Sequence, residues 1–101
     1  MPVTTRTDIK GVDRFLFTKG ADDHKLHLHV SEVGPGQRSH PPHQQEGLET
    51  FYILEGKGEI VHGEETYSVN SGEAMQVECS VLHGIRNAGE GPLRYAVIVA
   101  K

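Results

Sequence analysis

Short runs of alternating apolar and polar residues fill most of the chain, broken repeatedly by glycine, proline, asparagine and aspartate, and no stretch carries helical periodicity of useful length. The clearest run covers residues 26–33, where Leu26, Leu28 and Val30 fall on one face and His27, His29 and Ser31 on the other. A shorter run before it, Arg14 to Thr18, predicts a strand, and the polar stretch Gly20-Ala21-Asp22-Asp23 predicts the turn between the two. Gly34-Pro35-Gly36 turns the chain again. The next strand is predicted over 49–55, with Glu49, Phe51 and Ile53 on its interior face. Gly56-Lys57-Gly58 predicts a hairpin turn into a strand over 59–62, Gly63-Glu64 another into 65–69, and Asn70-Ser71-Gly72 a third into 73–77. His62, beside one of these turns, is expected to be solvent-exposed. His83, Ile85 and Asn87 share a face of the following strand. The last run, Leu93 to Ala100, is nearly all apolar, which predicts coverage on both faces, one by the core and one by a second sheet or subunit.

This is an all-β pattern, and its scale suits one core. The 101 residues are expected to form a single domain, 1–101, with residues 1–10 a flexible or edge-strand segment; the 12 glycines and 5 prolines supply its turns. Net charge is −4 and the basic residues are scattered, so no stripe exists to neutralise phosphates and nucleic acid is not an expected partner. Residues 1–10 lack an apolar secretion signal, and the longest apolar run, Tyr95 to Ala100, is far too short to span a bilayer. No membrane partner and a cytoplasmic location are therefore expected. A lone cysteine, Cys79, cannot form an internal disulfide and fits a reducing compartment.

Candidate chemistry is concentrated in the middle of the chain. His43, Gln45 and Glu49 lie within seven positions, and His83 follows about a strand pair later. Imidazole and oxygen donors gathered in this way suit a divalent metal, and odd-numbered positions on one strand would aim at the same face. His40 is a competing donor, and a shifted register would recruit Gln44 or Glu46. His27 and His29 form a second His-x-His pair on a strand, which could also take a metal. No carboxylate or third histidine stands at matching spacing, so a solvated or pocket-lining strand face is the preferred reading for this pair.

The two donor segments resemble the two motifs of the cupin superfamily. The first motif runs from a glycine stretch to His-x-His, then Glu, then Gly seven positions beyond that Glu; here the series is Gly36, His43-Gln44-Gln45, Glu49 and Gly56. The second is matched in register by Gly72, His83 and Asn87, with Glu78 where proline is usual and Ser80 where a second glycine is usual. The resemblance implies a small RmlC-like jelly-roll barrel, a double-stranded β-helix, with His43, Gln45, Glu49 and His83 as the metal ligands. It places Cys79 in a turn ahead of His83, where a packing role is expected.

Gln45 stands where the family has its second histidine. An amide oxygen is a weaker donor than imidazole and suits harder cations, which implies looser binding or a preference for Mn, Fe or Ni over thiophilic metals; the identity of the ion, Mn, Fe, Ni or Zn, stays open. The function implied is metal-assisted work on a small oxygenated or carboxylated molecule, of dioxygenase, isomerase or lyase type. A metal-free cupin binding a small ligand or sugar is the alternative. A sensory module is third, since regulatory cupins usually carry a helical DNA-binding domain. A homodimer is expected. Tyr52, Glu46, Glu78 and Arg86 are unranked as acid or base, Tyr52 and Arg86 alternating away from the ligand face, and no catalytic residue is assigned.

Overall fold

The structure is a computed structural model that describes residues 3–21 and 24–101. Its elements are β1 (Val3–Arg6), β2 (Phe15–Thr18), β3 (Leu26–Val33), β4 (Leu48–Glu55), β5 (Lys57–His62), β6 (Glu65–Asn70), β7 (Ala74–Glu78), β8 (His83–Asn87) and β9 (Leu93–Ala100). There is no helix among the described residues, and so none long and apolar enough to cross a membrane. Asp22 and Asp23 of the predicted turn lie outside the described residues.

Among the described residues all the pairings are antiparallel and form three sheets: β1-β2, β3-β9-β4-β7 and β6-β5-β8. The four- and three-stranded sheets share one apolar cluster. Phe51 and Ile53 of β4, Val77 of β7 and Leu93, Tyr95, Val97 and Val99 of β9 meet Ile60 of β5, Val69 of β6 and Ile85 of β8. Residues two apart on a strand share a face, so the alternation seen in the sequence at Glu49, Phe51 and Ile53, and at His83, Ile85 and Asn87, becomes the inner wall.

Three expectations are corrected. Lys57 and Gly58 belong to β5 rather than to a hairpin turn: Gly58 pairs with both Val69 and Asn87, and a side chain there would meet Ile85, Leu93 and Val69 at 3.3–3.4 Å. Neighbouring side chains already occupy its space, so this glycine is a packing residue inside a strand. β9 is buried on one face only, with Ile98 and Ala100 exposed on the other, and no second sheet covers that outer face among the described residues. Leu26, Ala100 and Leu48 stand side by side on it across β3, β9 and β4. His62 is half-buried, and its Nε2 lies 3.3 Å from the Glu78 carbonyl oxygen, to which it can donate.

Candidate metal centre

The segment that carries His43 follows the free edge of β8 without becoming a regular strand. It is pinned to Asn87 at one end, by the Gly36 amide on the Asn87 oxygen (3.1 Å) and the Asn87 amide on the Gln37 oxygen (2.9 Å). At the other end His43 and His83 exchange two main-chain hydrogen bonds of 2.9 Å each. Pro41 and Pro42 between these points have no N–H to donate, which interrupts the ladder. Strand alternation therefore does not place His43 and Gln45; the bridge to β8 places the first, and a Gln45 amide bond to the Cys79 oxygen (2.8 Å) places the second. Glu49 is the second residue of β4, held in register between Val77 and Val99.

Among the described residues, His43, Glu49 and His83 form a group whose donor atoms lie within 4.8 Å of one another, an arrangement that could hold a metal ion. His83 is fully buried and Glu49 is 5 % exposed. The Nδ1 of His83 donates to the Val81 carbonyl at 2.8 Å, so in the neutral ring the Nε2 presents a lone pair. That Nε2 faces Glu49 Oε1 at 3.6 Å, and it has no hydrogen-bond partner; neither does His43 Nε2, also buried. A lone pair opposite a carboxylate oxygen is an unfavourable pairing that a cation between them would turn to advantage. The donor set thus fits a divalent ion. Burial holds the His43 imidazole below its ordinary basicity, with His40 and His83 adding to the effect and Glu49 opposing it, which favours the neutral form a metal needs.

Gln45 donates its amide Nε2 to Glu49 Oε1 at 2.7 Å and so orients that carboxylate. His40 is exposed, stacks on His43 with ring centroids 4.6 Å apart, and commits its Nδ1 to the Pro41 oxygen. Gln44 is exposed and donates to the Ser80 oxygen, and Glu46 is exposed, so neither joins the cluster. Cys79 is buried in the turn after β7, and burial raises the pKa of its thiol. A pocket of about 130 Å³ opens beside the donors, lined by Gln45, Phe51, Val97 and Val99 and also by His27, His29 and His40. Its other lining pair, Ser39 and Tyr95, hydrogen-bond at 3.1 Å and gave no sequence signal because they lie far apart in the chain. Tyr52, Glu46, Glu78 and Arg86 do not line it; Arg86 instead pairs with Glu59 at 3.0 Å, and Glu78 accepts two hydrogen bonds from Ser80 that lower its pKa.

Residues 29–99 match the cupin domain family. The chain is a cupin. The solved structures similar to this cupin include a protein of Thermus thermophilus, at 29 % identity and TM-score 0.68, covering 74 % of this chain and 71 % of that one. An RmlC-like cupin of Methanocaldococcus jannaschii with a double-stranded β-helix fold matches at 17 % identity and TM-score 0.68, over 74 % of this chain and 69 % of that one. The fold is therefore the jelly-roll, double-stranded β-helix that the motifs imply. A third similar structure is described as a putative sugar phosphate isomerase of Acidithiobacillus ferrooxidans, at 26 % identity and TM-score 0.66, over 76 % of this cupin and 51 % of that chain. This cupin spans about half the length of that protein. No curated protein matches the chain.

Proposed function

We propose that this cupin binds a divalent metal ion, Mn, Fe, Ni or Zn, through His43, Glu49 and His83, with Gln45 as the fourth member of the set, and acts on a small oxygenated or carboxylated molecule. The observation that carries this reading is the pair of buried, unpartnered Nε2 atoms of His43 and His83 beside the Glu49 carboxylate. A divalent ion held there supplies Lewis acidity toward a substrate oxygen. The chain's own groups do the rest. Val81 fixes the tautomer of His83, Gln45 orients Glu49, and Phe51, Val97 and Val99 form a water-poor wall beside the donors. An isomerase or lyase also needs a group to move a proton, and outside the donor set the titratable side chains lining the pocket are His27, His29, His40 and Tyr95. The similar protein described as a putative sugar phosphate isomerase supports the isomerase branch.

Thermal unfolding of chelator-treated protein, with and without Mn, Ni or Zn, tests this directly. An ion that binds the folded chain must raise the Tm of wild type and fail to raise that of His43→Ala or His83→Ala. No rise with any of these ions would contradict the reading. A homodimer accords with the exposed apolar stripe of Leu26, Leu48 and Ile98 on the outer sheet face. A solution mass of 11.1 kDa would contradict it.

A further inference from the structure

The second histidine pair also faces the pocket. His27 and His29 share the inward face of β3, at the levels of Val99 and Val97 on β9 and of Glu49 and Phe51 on β4. His27 thus stands two strands from Glu49 at one level, about 9–10 Å between backbones, across an aliphatic floor. The same face continues to Ser31, which is 2 % exposed and whose hydroxyl has no protein partner.

His27 Nε2 and His29 Nδ1 lie 3.2 Å apart, close enough for one ring to donate to the other. With neutral rings, either direction of that bond leaves one N–H on the pair unspent. No other described group hydrogen-bonds to either ring, and the charged groups acting on His29 are all basic: His27, Lys10 and His40. A group of N–H donors whose acting charged neighbours are basic, with the pocket's carboxylate two strands away, is suited to a negative charge. The far side of the same sheet face, with Glu49, is suited to a cation.

We infer that His27 and His29, with His40 beside them in the pocket lining, receive the carboxylate or phosphate group of a substrate whose other end offers an oxygen to the His43, Glu49 and His83 set. This rests on the metal-site reading for the second contact only. The 130 Å³ pocket is well below the roughly 300–1,000 Å³ of sites for drug-sized ligands, so the substrate is a small hydroxy or keto acid or a small phosphate ester.

The test is calorimetric titration of inorganic phosphate and of malonate into the protein at pH 7, alongside elemental metal content. Saturable binding of either anion by wild type, weakened about tenfold or more in His27→Gln/His29→Gln while metal content stays at the wild-type level, is the expected result. Phosphate alone would name a phosphate ester, malonate alone a carboxylate. His27→Gln and His29→Gln singly guard against a double variant that fails to fold, and each is expected to weaken binding. No saturable binding of either anion, or equal affinity in the variants, would overturn the inference. So would anion binding lost in His43→Ala and kept in His27→Gln/His29→Gln, since the anion would then sit on the metal. Because the anion contacts do not involve the metal donors, protein that takes up none of Mn, Fe, Ni or Zn and still binds an anion through His27 and His29 would sink the metal reading and leave the anion contact standing.

Discussion

His43 and His83 hold each other by two reciprocal main-chain hydrogen bonds of 2.9 Å, and their rings leave that bridge edge to face with centroids 4.9 Å apart. Two residues forty positions apart in sequence thus converge through backbone, before any metal is considered. The two ends of the pairing are each fixed by a neighbour that admits little change.

Gly84 is one of those neighbours. A Cβ added there would lie 3.2 Å from the Pro42 Cα and 3.4 Å from its Cβ and Cγ, atoms of backbone and of a rigid ring, so the segment carrying His43 must give by a few tenths of an ångström. Gly84→Ala is expected to cost about 1–3 kcal/mol in urea unfolding and to weaken metal uptake severalfold. Wild-type stability and uptake together would show that the bridge tolerates displacement.

Asn87 is the other. It is fully buried, donates to the Val33 and Gly91 oxygens at 3.1 and 2.8 Å, and accepts from the Gly89 amide at 2.8 Å. The second motif's asparagine is therefore a structural clamp on the turn between β8 and β9. Asn87→Ala strands three main-chain groups and is expected to lower stability by roughly 3 kcal/mol, measured by urea unfolding. A loss below half of that would mean that water replaces the side chain.

Much of this was legible in the sequence because register survives substitution. Glu49, Gly56, Gly72, His83 and Asn87 keep their spacing even where Glu78 and Ser80 replace the usual residues, and spacing is what fixes which strands meet. The strands and their inward faces followed from alternation. What alternation could not show is anything decided across strands. Gly58 looks like a turn residue until the side chains that fill its space are known. The apolar run of β9 looks doubly buried although its outer face is open in a single chain. His43 and Gln45 converge with Glu49 by bridges to β8 and to Cys79, not by sharing a strand.

Gln45 offers a chemical test of the departure from the family's pattern. Replacing the amide by imidazole in Gln45→His supplies a stronger donor for Zn and Ni, so competition titrations should show tighter Zn uptake relative to Mn than wild type shows. An unchanged ratio would mean that residue 45 acts only by orienting Glu49.

Acid should destabilise the metal-free fold. Burial lowers the His29 and His43 pKa values below 6.5 in the folded state, so the unfolded chain binds protons first as the pH drops. The stability these groups contribute is fully present above about pH 6.5 and is lost as the pH falls through their lowered folded values. Urea midpoints of chelator-treated protein should accordingly fall from pH 7.5 to 5.5, and fall less in His29→Gln. A pH-independent midpoint in that range would contradict this.

The central claim is that the two unpartnered imidazole nitrogens and the Glu49 carboxylate are a metal site. Elemental analysis of protein purified without an affinity tag or added metal, beside His43→Ala and His83→Ala, tests it most directly. Near-stoichiometric Mn, Fe, Ni or Zn in wild type, lost in both folded variants, is the predicted result. Folded wild type free of metal and unable to take up any of the four, or variants that keep a full complement, would contradict it.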